Sequence, residues 1–154
     1  MKELKKEQTE EIRKYISRLL EILEERAKIE LDEKIPGEIY INLRGTLTKL
    51  TNQDSAIVKS LSELLEVIFR RKFEIDKEVC LDINGEKYKK REKLKKFCIK
   101  AARRAKNNKE KIRLNPMPAK ERKLIHITVS EIEGVETYSV GEGQERRVIL
   151  EPKV

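Results

Sequence analysis

Apolar residues recur along the first half of the chain at helical and strand periods, which predicts a mixed α+β unit. A spacing of three and four predicts an amphipathic helix over roughly residues 7–26. Two alternating segments on either side of the Pro36-Gly37 turn predict an antiparallel hairpin. A helical turn at residues 46–50, a second long helix and a strand that ends at the Asn84-Gly85 turn complete the unit. The apolar positions are Ile12, Tyr15, Ile16, Leu19, Leu20, Leu23, Ile29, Leu31, Ile39, Ile41, Leu43, Ile57, Leu61, Leu64, Leu65, Ile68, Val79, Leu81 and Ile83.

The second half of the chain predicts helices that pack on a small sheet. A helical stripe runs over residues 87–106 and is followed by a short strand at residues 112–114. Pro118 suits the first turn of another helix, which we expect to end near residue 130. Residues 135–140 and 146–150 alternate and predict a terminal hairpin. The fold class is therefore α+β, with two small domains at residues 1–84 and 85–154.

Charge divides the chain at the same turn. Residues 1–84 hold 16 Lys and Arg against 18 Asp and Glu, a net charge of −2, whereas residues 85–154 hold 20 against 10, a net charge of +10. A small domain with such an excess attracts polyanions and gains free energy by releasing counterions from phosphates. Nucleic acid is therefore the leading class of partner, and an anionic membrane surface is the second.

The apolar runs, the cysteines and the lack of catalytic motifs argue against a membrane protein, a secreted protein and an enzyme. The apolar runs are too short for a transmembrane helix or a secretory signal, so we expect no integral membrane segment. Cys80 and Cys98 lack metal-ligand spacing, and we expect two buried free thiols and a cytoplasmic location. We find no nucleophile, metal or phosphate-loop pattern, so we expect no enzyme activity, no metal and no cofactor.

Arg122 and His126 are the best candidates for binding chemistry. Four residues apart on a predicted helix, they project from the same face. A guanidinium grips a phosphate in a forked pair, and an imidazole one turn away can stack on a base or donate to the next phosphate. Lys120 and Lys123 lie in the same stretch. The alternative is structural: Arg122 pairs with a nearby carboxylate, and His126 is a satisfied polar residue at the helix edge.

Two further polar features have simpler explanations. A basic stripe, Lys89, Lys93, Lys96, Lys100 and Arg103, has the spacing expected of the solvated side of an amphipathic helix. Thr51, Asn52, Gln53 and Asp54 precede the second long helix, and their first interpretation is helix capping.

The second half of the chain resembles the R-three-H domain, a single-stranded-nucleic-acid-binding fold named for an Arg and a His separated by three residues. The resemblance extends to the bacterial Jag family (SpoIIIJ-associated, also called KhpB), in which a type II KH domain precedes the R-three-H domain. The order helix-strand-strand-helix-helix-strand in residues 1–84 is similar to such a KH domain. The motifs that carry the resemblance are Tyr88-Lys89-Lys90-Arg91, Asn115-Pro116-Met117-Pro118 and residues 121–126, 135–142 and 146–149.

The resemblance implies which residues bind. It assigns nucleic-acid binding to Arg122 and His126, with Arg146 and Arg147 as supporting cations. We expect Lys120, Lys123 and Arg91 to bind nucleic acid beside them. A KH domain binds through a Gly-x-x-Gly loop. By position, that loop is Thr51-Asn52-Gln53-Asp54 here, which lacks both glycines and adds a negative charge.

We therefore expect a non-enzymatic regulator that binds single-stranded RNA, or DNA, through its second half. The KH-like half, with its degenerate loop, is expected to form a homodimer or to dock a KH-domain partner. The alternative is a regulator of cell-envelope synthesis whose basic half meets acidic protein or lipid, with little RNA binding. Nuclease activity with His126 as general base is a third, weaker hypothesis.

Overall fold

A computed structural model describes residues 4–51 and 55–153 and divides the chain into two compact units. Unit 1 is Met1–Tyr88 and unit 2 is Lys89–Val154. Each unit combines helices with a three-stranded sheet, so the α+β class is confirmed. In the part of the chain that the structure describes, no helix is both long and apolar enough to cross a membrane.

Unit 1 contains a mixed sheet in which β1 (Lys28–Asp32), β2 (Glu38–Arg44) and β3 (Glu78–Ile83) lie in that order. Strands β1 and β2 pair antiparallel, as the predicted hairpin requires, and β2 and β3 pair parallel. Alternate residues of the sheet, such as Ile41 and Leu81, are fully buried and share one core with apolar residues of both helices, including Ile12 and Leu65. The two helices are α1 (Lys6–Ile22) and α2 (Ala56–Phe73).

The structure corrects the element order predicted for this unit. Residues 45–51, where the sequence predicts a helical turn, contain bends and no helix. Leu47 and Leu50 are buried in the core. A carboxylate oxygen of the buried Glu25 accepts hydrogen bonds from the Thr48 backbone N–H (2.9 Å), the Thr48 hydroxyl (3.0 Å) and the Lys49 backbone N–H. In a helix, the backbone N–H groups of Thr48 and Lys49 would donate to helix carbonyls, but here they donate to the Glu25 carboxylate. The segment therefore remains irregular and packs Leu47 and Leu50 into the core.

The second face of the unit 1 sheet is polar and fixes the start of the next helix, α3 (Glu86–Asn108). Asp82 is fully buried, and its carboxylate accepts the backbone N–H groups of Lys87 and Tyr88 at 2.9 Å each. The Tyr40 hydroxyl donates to the same carboxylate at 2.6 Å. Asp82 therefore satisfies first-turn N–H groups of α3 in the manner of a helix cap.

Unit 2 is an antiparallel sheet in the order β4 (Ile112–Arg113), β6 (Arg147–Pro152) and β5 (Val135–Val140). It carries α3 and α4 (Ala119–Ser130). Small residues of α3, Cys98, Ala102 and Ala105, are fully buried with Ile125 of α4 and Leu150 of β6. Their size lets the two helices and the sheet approach closely. A short 3-10 helix (Gly143–Glu145) lies between β5 and β6.

Candidate nucleic-acid interface

Helix α4 carries the two residues that motif and spacing single out. Its buried side, Leu124, Ile125 and Val129, packs toward the sheet. Arg122 and His126 are one turn apart, and both are partly buried beside this apolar side. They therefore lie where α4 meets β5.

His126 is held by two hydroxyl groups of β5. Its Nδ1 lies 2.7 Å from the Thr137 hydroxyl, and its Nε2 lies 3.0 Å from the Ser139 hydroxyl. Burial of the ring, and secondarily the positive charge of Arg122, lower the pKa of His126 below its ordinary value of 6.5. The lowered pKa favours the neutral ring, to which one hydroxyl donates while the other accepts.

Arg122 contacts the same strand. Its Nη1 donates to the Ser139 hydroxyl at 3.4 Å, and its Nε donates to the Met117 carbonyl at 3.3 Å. Both bonds are longer than the usual range for N–H···O, and a guanidinium has five donors. These contacts orient the side chain and leave it the capacity to bind a phosphate.

Thr137 and Ser139 are the part of this arrangement that sequence reasoning missed. They alternate with Tyr138 and lie on the same face of β5 as the buried Val135. Hydroxyl groups on the core face of a strand need hydrogen-bond partners, and the single imidazole of the chain supplies them. The sequence does contain a signal for this contact: Thr137 and Ser139 alternate in register with the apolar Val135, which predicts hydroxyl groups on the core face of the strand.

Two other predicted cations lie together. Lys120 is exposed on α4, and Arg91 is partly buried on α3. Both line one cavity of about 150 Å³ between these helices. Lys123 is exposed on α4.

The two consecutive arginines of the last hairpin, Arg146 and Arg147, lie in different environments. The Arg146 carbonyl accepts the backbone N–H of Met117 at 3.2 Å, so its backbone lies at the same residue that holds Arg122. Arg147 pairs across the sheet with Val140, whereas its neighbour Val148 pairs with Ser139. Because successive residues of a strand point to opposite faces, Arg147 points away from the face that holds His126. Its guanidinium contacts the Glu145 carboxylate at 3.1 Å.

The remaining sequence predictions concern other parts of the chain. Thr51 is exposed, and Asn52, Gln53 and Asp54 lie outside the described residues. All five members of the basic stripe on α3 are exposed. Both cysteines are buried free thiols, as expected, and burial raises the pKa of Cys98 to about 11. Among residues 4–51 and 55–153, no cluster of His, Cys, Asp or Glu could hold a metal ion.

Comparison with known proteins finds one matching domain family and one relative. Residues 92–152 match the family of R-three-H domains. Over 79 residues the chain is 38% identical to the RNA-binding protein KhpB of Bacillus subtilis (strain 168). The aligned region is 50% of this chain and 38% of that protein, so the chain covers well under two thirds of its relative.

Proposed function

We propose, from the premise that this chain is an R-three-H-domain protein similar to the Jag family, that it binds single-stranded RNA through α4 and its surroundings. The observation that carries the proposal is the anchoring of Arg122 to Ser139 and Met117 beside a group of cations. The RNA-binding character of the relative from Bacillus subtilis supports it. DNA offers the same phosphates and bases, and only contacts to the ribose 2′-OH would distinguish RNA.

The residues of the proposed interface have different roles in binding. Arg122 supplies a forked, charge-assisted contact to a phosphate. Its contacts to Met117 and Ser139 reduce the side-chain freedom lost on binding. His126, neutral and bonded through both nitrogens, acts mainly by holding the Ser139 hydroxyl in position. Lys120, Lys123 and Arg146 add sequence-independent attraction around this centre, whereas Arg91 and Arg147 contribute from its margins.

We further propose that the chain acts by binding, without catalysis, as a cytoplasmic regulator. The only histidine of the chain is engaged by two hydroxyls, and the raised pKa of Cys98 suppresses its thiolate. Neither group is suited to act as a base or nucleophile as it stands.

Unit 1 is proposed to serve association, through a homodimer or a KH-domain partner. Its net charge of about −2 gives no attraction for phosphate, and the Thr51-Asn52-Gln53-Asp54 segment lacks glycine. Three large apolar residues on α2 support the proposal because they are roughly half exposed: Ile57 (50%), Leu64 (47%) and Val67 (45%).

The decisive experiment is a titration of fluorescent single-stranded RNA with the wild type, Arg122→Ala and His126→Ala. Loss of a charged contact of about 1–3 kcal/mol should weaken binding about 5- to 150-fold for Arg122→Ala. Arg104→Ala, which removes the same charge from an exposed position on α3, is the matched control and should bind nearly like the wild type. If Arg122→Ala and His126→Ala both bind like the wild type, this site is wrong.

The same proteins can be tested on vesicles with anionic headgroups. Retention on vesicles together with no RNA affinity at low salt would favour the envelope-regulator alternative. RNA that remains intact during prolonged incubation with Mg²⁺ is the expected result if the chain binds without cleaving.

A further inference from the structure

The cavity between α3 and α4 has a composition unlike that of a plain phosphate site. Leu94 and Leu124 give it apolar walls, three cations surround them and one carboxylate completes the lining. The lining residues are Lys90, Arg91, Leu94, Lys120, Glu121 and Leu124. Phosphates favour cations and backbone N–H groups, whereas an apolar wall favours the flat face of a nucleobase.

The size of the cavity agrees with a single base. Its volume is about 150 Å³, well below the volumes of roughly 300–1,000 Å³ that hold drug-sized ligands. Cations on both helices can meet the phosphates on either side of a base held between them. Glu121 and Arg122 are consecutive on α4 and project about 100° apart around its axis, so a strand that contacts Arg122 and fills the cavity must pass around the first turn of the helix.

The carboxylate of Glu121 limits which base fits best. A carboxylate only accepts hydrogen bonds, so it favours base edges that carry donors. Guanine presents two adjacent donors on its Watson–Crick edge, N1–H and the N2 amino group, which match the two oxygens of a carboxylate. Adenine and cytosine place an acceptor beside their amino group, and uracil places a carbonyl on each side of N3–H. These acceptors oppose a negative charge.

We infer that the cavity between α3 and α4 binds one unpaired nucleobase of the RNA and that Glu121 makes it prefer guanine. The inference rests on the proposed function, which supplies the strand, and adds the sequence preference of that strand. Glu121 here touches the ligand directly, while the cations of the rim act on any sequence.

The test compares uridine oligonucleotides that carry one central guanine, inosine, adenine or cytosine with the all-uridine strand. The wild type should bind the guanine strand about fivefold or more above the all-uridine strand, which corresponds to about 1 kcal/mol. Inosine lacks the N2 amino group and should fall between the two. In Glu121→Gln, an amide donor replaces one acceptor oxygen, so the guanine preference should vanish while affinity for the all-uridine strand is kept or increased.

Glu142→Gln is the matched control, since it removes the same charge from an exposed residue outside the cavity and should keep the preference. Glu121 lies in the first turn of α4, where negative charge stabilises a helix, so the thermal midpoint of each variant is measured alongside. Equal binding of all strands by the wild type, or a guanine preference that survives in Glu121→Gln, overturns the inference and leaves the proposed function standing. Failure of the wild type to bind any strand overturns both.

Discussion

At the scale of single residues, Ser139 connects the two named members of the motif. Its hydroxyl lies 3.0 Å from His126 Nε2 and 3.4 Å from Arg122 Nη1. A hydroxyl can accept and donate at once, so it can serve both neighbours. The motif is therefore a set of three side chains on two elements rather than a pair on one helix.

Ser139→Ala should weaken RNA binding because Arg122 loses one of its two anchors. A typical net hydrogen bond of about 0.5–1.5 kcal/mol predicts a loss of about two- to tenfold, smaller than that of Arg122→Ala. Fluorescence anisotropy with the same RNA measures it. Ser130→Ala is the matched control, because Ser130 is exposed and its hydroxyl donates to a carbonyl of its own helix, that of Ile127. Binding by Ser139→Ala that equals the wild type would remove Ser139 from the interface.

His126 should make the stability of the protein depend on pH. Its pKa in the folded protein lies below 6.5, so the unfolded chain binds the proton more readily. The contribution of His126 to the free energy of unfolding is therefore fully present above the unfolded pKa. It falls as the pH drops through 6.5 toward the lower folded pKa. Urea unfolding at about pH 7.5 and about pH 5.5 measures the change.

His126→Gln separates this effect from the titration of other groups. Glutamine fills the same region without a titrating proton in this range, so the variant should lose less free energy of unfolding between the two pH values. An equal loss in both proteins would show that His126 does not carry the dependence.

At the scale of elements, most segments could be predicted from the sequence because their periods are long and clear. The Pro36-Gly37 turn and the alternation of Ile39, Ile41 and Leu43 match the hairpin of β1 and β2. Alternation alone, however, cannot give the register. The pairing of Ser139 with Val148, which turns Ser139 toward His126, follows from the folded sheet.

The elements that the sequence misplaces depend on contacts between distant residues. The apolar spacing predicts that α1 reaches residue 26, but the helix ends at Ile22, and Glu24 has a left-handed backbone with φ of 57°. This early end lets Glu25 turn inward to the N–H groups of Thr48 and Lys49. A buried glutamate with partners more than twenty residues away leaves no local signal in the sequence.

Substitution of Asp82 tests whether its carboxylate, on the polar face of the unit 1 sheet, stabilises the first turn of α3. Asp82→Ala should reduce the free energy of unfolding by about 2–4 kcal/mol, because it removes a helix cap and leaves the Tyr40 hydroxyl without its acceptor. Urea denaturation should show a lower midpoint with an unchanged slope. Asp76→Ala is the control, since Asp76 forms an exposed pair with Arg70 and should cost less than about 1 kcal/mol. Equal midpoints for the two variants would contradict the capping role.

At the scale of the whole molecule, the two halves differ in net charge whether the chain is divided after residue 84 or, as in the structure, after Tyr88. Unit 1 holds 17 Lys and Arg against 19 Asp and Glu, and unit 2 holds 19 against 9, so the net charges are again −2 and +10. Composition alone could show this contrast, and the match of residues 92–152 to R-three-H domains lies in the positively charged unit. Which cations surround Arg122 could not be obtained that way, because it depends on how α3, α4 and β6 pack.

The salt dependence of binding should report how many of these cations meet phosphates. Each neutralised phosphate of a single strand contributes about −0.7 to the slope of log K against log salt concentration. If Lys120, Arg122, Lys123 and Arg146 each neutralise one, the slope should be about −3 between about 50 and 200 mM salt. The double variant Lys120→Ala/Lys123→Ala should then flatten the slope to about −1.4. Lys14→Ala/Lys59→Ala removes the same two charges from exposed positions in unit 1 and should leave the slope unchanged. Equal flattening by both double variants would show that net charge, rather than the cations around Arg122, governs binding.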